Sequence, residues 1–187
     1  MTETKEPYSP KEWIVHRHYG VGQVQGTEKK NISGEENDYY RIKTRNSTIW
    51  VAVDQLDENQ FRPVATPQEF DEILAILERP ARRMKANFNA RKRRINQVKS
   101  KNSPLALARI VRDLWGRQSR RGSLSNTEHS ALRRFTRRLL AEWSVCMRVD
   151  VKEAQRRLYA LLQKSKNETA KTNQIVTGAA TPETGQR

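Results

Sequence analysis

The sequence predicts an α+β protein, with a small N-terminal all-β module followed by a C-terminal all-α helical module. Between Trp13 and Val53, short apolar or alternating runs are separated by turns rich in glycine and asparagine. From Thr66 onward, apolar residues recur at helical spacing behind capping signals. Charge divides the chain near the same place. Residues 1–79 carry 10 Lys/Arg and 14 Asp/Glu, a net of −4, and residues 80–187 carry 26 and 7, a net of +19. So sharp an asymmetry points to two modules with different partners.

The first 11 residues are polar, contain Pro7 and Pro10, and are expected to be flexible. The β module is assigned to residues 12–65. In WIVHRHYGVGQVQ, Trp13, Val15, Val21 and Val24 favour strand, and the Tyr19-Gly20 pair marks a tight turn. NISGEEND, centred on Gly34, reads as a hairpin loop. DYYRIKT alternates Tyr40, Ile42 and Thr44 with Arg41 and Lys43, the pattern of a half-buried strand. TIWVAV is almost wholly apolar, which predicts a strand covered on both faces. Strands this short and closely spaced suggest a barrel-like or bent sheet.

The helical module is assigned to residues 66–164. Thr66-Pro67-Gln68-Glu69 combines an N-cap, a proline at the first helical position and a Glu three residues after the cap. Phe70, Ile73, Leu74 and Leu77 carry that helix forward, and Pro80 stops it. A second helix is expected from about Ala81 to Val98. A third, opened by Ser103-Pro104, is expected to end near Gly116. Ser125 with Glu128, and Asp150 with Glu153, open two more. Residues 165–187 show no period and few large apolar groups, and are expected to be disordered.

Composition narrows the function. Hydrophobic residues are 35% and charged residues 30% of the 187, so small cores are expected. No run approaches the roughly 20 apolar residues of a membrane helix. The N-terminus lacks the basic start and apolar segment of a signal peptide. The one cysteine, Cys146, rules out an intramolecular disulfide framework and a multi-Cys zinc site, and a cytoplasmic location is expected. His16 and His18, two apart, would share one face of a strand, but no further ligands accompany them. Cys146 lies in an apolar helical run and reads as an inert thiol. No phosphate-binding glycine loop and no paired acid–base arrangement is visible. A non-enzyme with no metal, cofactor or small-molecule substrate is expected, acting as a monomer.

The positive signal lies between Pro80 and Gly122, which hold 14 Lys/Arg and one acid, Asp113. Arg82, Arg83, Lys85, Arg91, Lys92, Arg93 and Arg94 would fall within about four helical turns. Such a face would neutralise phosphates with little regard to sequence and with steep salt dependence. Asn87 and Asn89 are placed to reach sugar or base edges. A membrane surface would call for exposed aromatic or leucine side chains beside the lysines, whereas the apolar residues here are committed to a helical core. Trp115 and Trp143 read as packing, and Trp13 and Trp50 as residues of the sheet core or its face.

These features resemble the bacterial CarD/CdnL transcription regulators. The resemblance covers about residues 12 to 163. It is carried by ARRMKAN at 81–87, IVRDLW at 110–115, Leu124-Ser125 with Glu128 and Leu132, and the turn from His16 to Gly20. It implies a Tudor-like β module that adds a strand edge to the β subunit of RNA polymerase. The matching contacts here are Lys29, Lys30, Thr48, Ile49, Trp50 and Val51. It further implies that the helical module sits on promoter DNA at the upstream edge of the transcription bubble and stabilises the open complex, so that the protein accompanies polymerase on the nucleoid. Where the family carries a wedging tryptophan before its basic segment, this chain has Pro80. The alternative is an adaptor away from promoters, whose basic half binds RNA or acidic protein.

Overall fold

The computed structural model describes residues 8–31, 34–57 and 60–178, with side chains described as far as Asn167. It has the expected α+β architecture. Strands β1 (Trp13–His16), β2 (Gly20–Asn31), β3 (Glu36–Thr44), β4 (Thr48–Ala52) and β5 (Phe61–Pro63) form one sheet of order β4-β3-β2-β1-β5. All four pairings are antiparallel. A register shift between Val24 and Gly26 bends the long strand β2, with Gly26 at φ 135°. Ile14, Val24, Tyr40, Ile42 and Phe61 form the sheet's small core.

Helices α1 (Pro67–Glu78), α2 (Phe88–Ser100), α3 (Pro104–Arg121), α4 (Asn126–Cys146) and α5 (Val151–Gly178) follow. The capping boxes at Thr66 with Glu69 and at Ser125 with Glu128 are both formed. Helix α3 supplies Leu107, Ala108, Ile110, Val111 and Leu114 to the main core, all at or below 1% exposure. Phe70 of α1 and Trp143 of α4 meet there with ring centroids 5.5 Å apart. Among the described residues, no helix is long and apolar enough to cross a membrane.

Several expectations are corrected. The run TIWVAV is not covered on both faces: β4 is an outer strand, paired to β3 on one side, and Trp50 is 41% exposed. Its apolar character serves one face, where Ile49 and Val51 pack on the sheet core. His16 and His18 do not share a strand face, because β1 ends at His16 and the chain turns. The His16 ring accepts from the backbone N–H of His18 and Tyr19. Burial, with His18 and Arg138 nearby, pushes its pKa down to about 4. Residues 8–11 are tied to the sheet by the Lys11 N–H, which donates to the Val24 carbonyl at 2.7 Å. Residues 165–178 are helical rather than disordered. They lack a periodic apolar face, but proline is absent and Lys, Glu, Ala and Gln sustain a helix on propensity. Residues 1–7 of the segment expected to be flexible, and 179–187 of the one expected to be disordered, lie outside the described residues.

One knot joins the sheet to the helices. The Arg62 guanidinium on β5 donates to both Glu142 carboxylate oxygens on α4, at 2.5 and 2.7 Å. Its Nε donates to the Asn102 carbonyl between α2 and α3, at 2.6 Å. The Asn102 amide donates in turn to the carbonyls of Val15 and Gln60, and its oxygen accepts from Arg138. Glu142 also accepts from the Ala65 N–H and is 1% exposed. Burial, then Arg134 and Arg62, lowers the Arg138 pKa to about 10. Backbone groups at the seam are thus satisfied by side chains of the other module.

Removing one partner of a buried ion pair costs about 3–5 kcal/mol, so Glu142→Ala is expected to lower the melting temperature by roughly 2–4 °C for each kcal/mol lost. An unchanged melt would show that the modules do not lean on this pair. Gly116 supplies a second check. It lies inside α3, not at its end, and a Cβ there would come within 2.3 Å of the Ala81 Cβ. At an open helical site Gly→Ala stabilises by about 1 kcal/mol. Here Gly116→Ala is expected to destabilise by about 1–3 kcal/mol through overpacking, a reversal of sign that thermal melts read directly.

Candidate nucleic-acid interface

The basic stretch begins where α1 ends. Arg79 is already extended, at φ −62° and ψ 151°, as the residue before a proline prefers. The chain then runs from Pro80 to Asn87 without helix, and α2 starts at Phe88. The expected helical turn over 81–87 is therefore absent, and Arg82, Arg83 and Lys85 project from an extended link. The cause is local. Asn87 is the N-cap of α2, its side-chain oxygen accepting from the Ala90 N–H at 3.1 Å. Upstream, the Arg82 N–H donates to Asp113 at 3.0 Å. The Arg91 guanidinium donates to the carbonyls of Lys85 and Ala86. Side chains from other elements thus satisfy backbone groups that a helix would have paired internally. Ala81, buried against Gly116, lets the link lie close on α3.

Three buried carboxylates sort the arginines. Glu128, 1% exposed at the start of α4, accepts from Arg91 at 2.6 Å and pairs with Arg117 at 3.0 Å. Burial pushes the Glu128 carboxyl up, but the Ser125 N–H and hydroxyl, with Arg91 and Arg117, hold it below its usual value. Asp113, fully buried, accepts from Arg112 and, at 2.5 Å, from Arg94. Glu142 takes Arg62.

The expected nucleic-acid residues therefore separate into two groups. Arg91 is 7% exposed and belongs to the interior, and the Asn87 oxygen is used as a cap, so neither presents the group expected of it to a phosphate or base. Arg94 is partly engaged by Asp113. Arg82, Arg83, Lys85, Lys92 and Arg93 are exposed along the link and the outer face of α2. Arg82, Lys85, Lys92 and Arg93 have no ion pair among the described residues. Pro80 is exposed between Arg79 and the link. Sequence reasoning missed Arg79 and Arg109. Both are exposed, and the fold brings them beside Arg82, Arg94 and Arg112 around one concavity. Arg109 stands as the polar position between buried Ala108 and Ile110, a signal visible in the sequence.

On the sheet, the exposed edge of β4 carries a small cluster. The Trp50 indole N–H donates to Glu28, and Lys30 Nζ lies 3.9 Å above the ring. Lys30 and Trp50 are thus brought together. Lys29 turns away and pairs weakly with Glu36 at 4.0 Å. Thr48, Ile49 and Val51 are half-buried, with Ile49 and Val51 packed inward. Cys146, at the end of α4, has its thiol pushed up to about 11 by burial. Among the described residues no group of three or more His, Cys, Asp or Glu is placed to hold a metal ion.

Comparison with known families covers both modules. Residues 8–65 match the model described as the CarD-like/TRCF RID domain, which is Tudor-like, as the bent sheet is. Residues 72–159 match the model described as the CarD C-terminal domain. CarD-like proteins are transcription factors rather than enzymes. With both matches in chain order over most of the described residues, the chain belongs to the CarD-like family of RNA polymerase-interacting transcription regulators.

Proposed function

We propose that this protein docks on the β subunit of RNA polymerase through the β4 edge and holds promoter DNA at the upstream edge of the transcription bubble, stabilising the open complex. One observation carries the reading: an unpaired strand edge and a ridge of exposed cations are fixed on one body by the Arg62–Glu142 knot. An open edge offers main-chain hydrogen bonds to a further strand, with Lys30, Trp50 and Thr48 giving the contact its side-chain character. The Arg82, Arg83, Lys85, Lys92 and Arg93 ridge then meets phosphates near the docked polymerase. Pro80 is exposed, but its ring is small for a wedge, so the reading rests on phosphate contacts. Binding the open complex more tightly than the closed one shifts the population between them. In this reading the protein works in the cytoplasm, on the nucleoid beside polymerase, and as a monomer.

Footprinting with the cognate polymerase is expected to show added protection at the upstream bubble edge and a longer open-complex lifetime. No protection at saturating protein would favour the adaptor reading. Trp50→Ala is expected to weaken polymerase binding by about 2 kcal/mol or more, as a central aromatic anchor does, and to leave duplex affinity unchanged. The double reversal Arg82→Glu, Arg83→Glu is expected to flatten the salt dependence of duplex binding by about one unit of slope per lost phosphate contact. Its melting temperature should fall less than that of Arg91→Ala, because Arg91 is buried and pairs with Glu128 inside the fold. Unchanged salt dependence in the double variant would remove the link from the DNA face.

A further inference from the structure

Other arginine clusters are neutralised within the fold: Arg91 and Arg117 by Glu128, and Arg62 of β5 by Glu142 across the seam. One is not. Arg79, Arg82, Arg94, Arg109 and Arg112 line a concavity of about 540 Å³, with Ile76 and Pro80 completing its wall. They come from the end of α1, the link, α2 and α3, so four separate segments converge on it. Among the described residues, the carboxylate bonded to this cluster is Asp113, and its oxygens are already taken by Arg112, Arg94 and the Arg82 N–H; Glu78, beside Arg79, pairs with Lys164 instead. Arg112 is buried and further held by the Ile76 carbonyl. The side chains of Arg79, Arg82 and Arg109 have no partner among the described residues.

Five guanidinium groups facing one carboxylate repel one another, and the concavity concentrates their field. The residue type is informative as well. The outer ridge mixes Lys85 and Lys92 with its arginines, whereas every cation of the concavity is Arg. Planar guanidinium forks match phosphate oxygens two at a time, which a lysine ammonium does not. The volume falls in the usual range of small-ligand sites, roughly 300–1,000 Å³. A duplex presents its phosphates along a convex backbone and suits the ridge; a recess walled on several sides suits a compact anion. Among the described residues the lining is arginine, isoleucine and proline, without an aromatic ring to stack on a base.

We propose that this recess binds a short chain of linked phosphoryl groups, free or carried by a nucleotide, and that the bound anion engages Arg82 and so competes with DNA. The anion site stands on its own residues. The competition rests on the DNA reading given above.

The test titrates the full-length protein with inorganic tripolyphosphate by calorimetry at about 0.15 M salt, where exposed charges are largely screened beyond about 8 Å. One saturable site per chain is expected, and ATP should bind within about threefold of tripolyphosphate if the phosphate chain alone is read. Arg109→Glu should weaken tripolyphosphate by about tenfold or more, and the milder Arg109→Gln covers the case in which the reversal disturbs folding. Arg121→Glu makes the same charge change about 18 Å further along α3 and should leave the affinity nearly unchanged. Absence of saturable binding, or an equal loss in the Arg121 variant, would overturn the site in favour of a diffuse ion atmosphere. A tenfold preference for ATP would overturn the phosphate-only recognition. A labelled duplex followed by anisotropy separates the two readings. Tripolyphosphate should displace it. If the duplex never binds while tripolyphosphate does, the DNA reading fails and the anion site stands; if the duplex binds and tripolyphosphate does not, the anion site fails alone.

Discussion

The pair between Arg62 and the buried Glu142 ties the sheet to the helices. It takes one charge from the sheet and one from the helices, burying Glu142 fully and Arg62 in large part, with Asn102 bonding across the same seam. Neither module keeps its edge fully satisfied without the other. The orientation of the β4 edge relative to the basic ridge follows from it. A linker would have left that orientation free, and the two surfaces would then contribute only a raised local concentration of one partner near the other.

The same logic operates inside the helical module. Residues 80–187 contain only 7 acids, and three of them, Asp113, Glu128 and Glu142, are buried. Each draws arginines inward. Asp113, the one acid between Pro80 and Gly122, is among the buried ones, so the exposed charge of that stretch is cationic. This is why a count of positive charge overstates the binding face. Some of that charge is internal wiring that holds the link in an extended shape.

Much of the fold was legible in the sequence because its signals are local. The two capping boxes, the strand alternation at Tyr40 and Ile42, and the turn at Gly34 depend on neighbours a few residues away. The link from 81 to 87 was not legible, because its shape is set by Asp113, Gly116 and Glu128, all distant in sequence. Arg91 was misjudged although a clue was present: Arg91, Ile95 and Val98 fall at helical spacing on one face, and that face is buried. A charged residue in register with core positions is a candidate for internal pairing. The exposure of β4 was hidden for the opposite reason, since the run TIWVAV reads as interior while Trp50 points outward. Arg79 and Arg109 join the basic cluster only through tertiary contact, which neighbouring residues in the sequence do not signal.

Helix α5 also reaches back to the start of the link. The Ser165 hydroxyl donates to the Arg79 carbonyl at 2.7 Å, and Lys164 pairs with Glu78 at 3.3 Å. The junction between α1 and the link is thus fastened by residues made 86 positions later. During synthesis the sheet and α1 emerge first, while the segment bearing Arg82 and Arg83 has neither Asp113 nor α5 to lie against. Only once Ser165 has left the ribosome tunnel is the junction fastened. A nascent or prematurely terminated chain would carry the β4 edge without a set basic link.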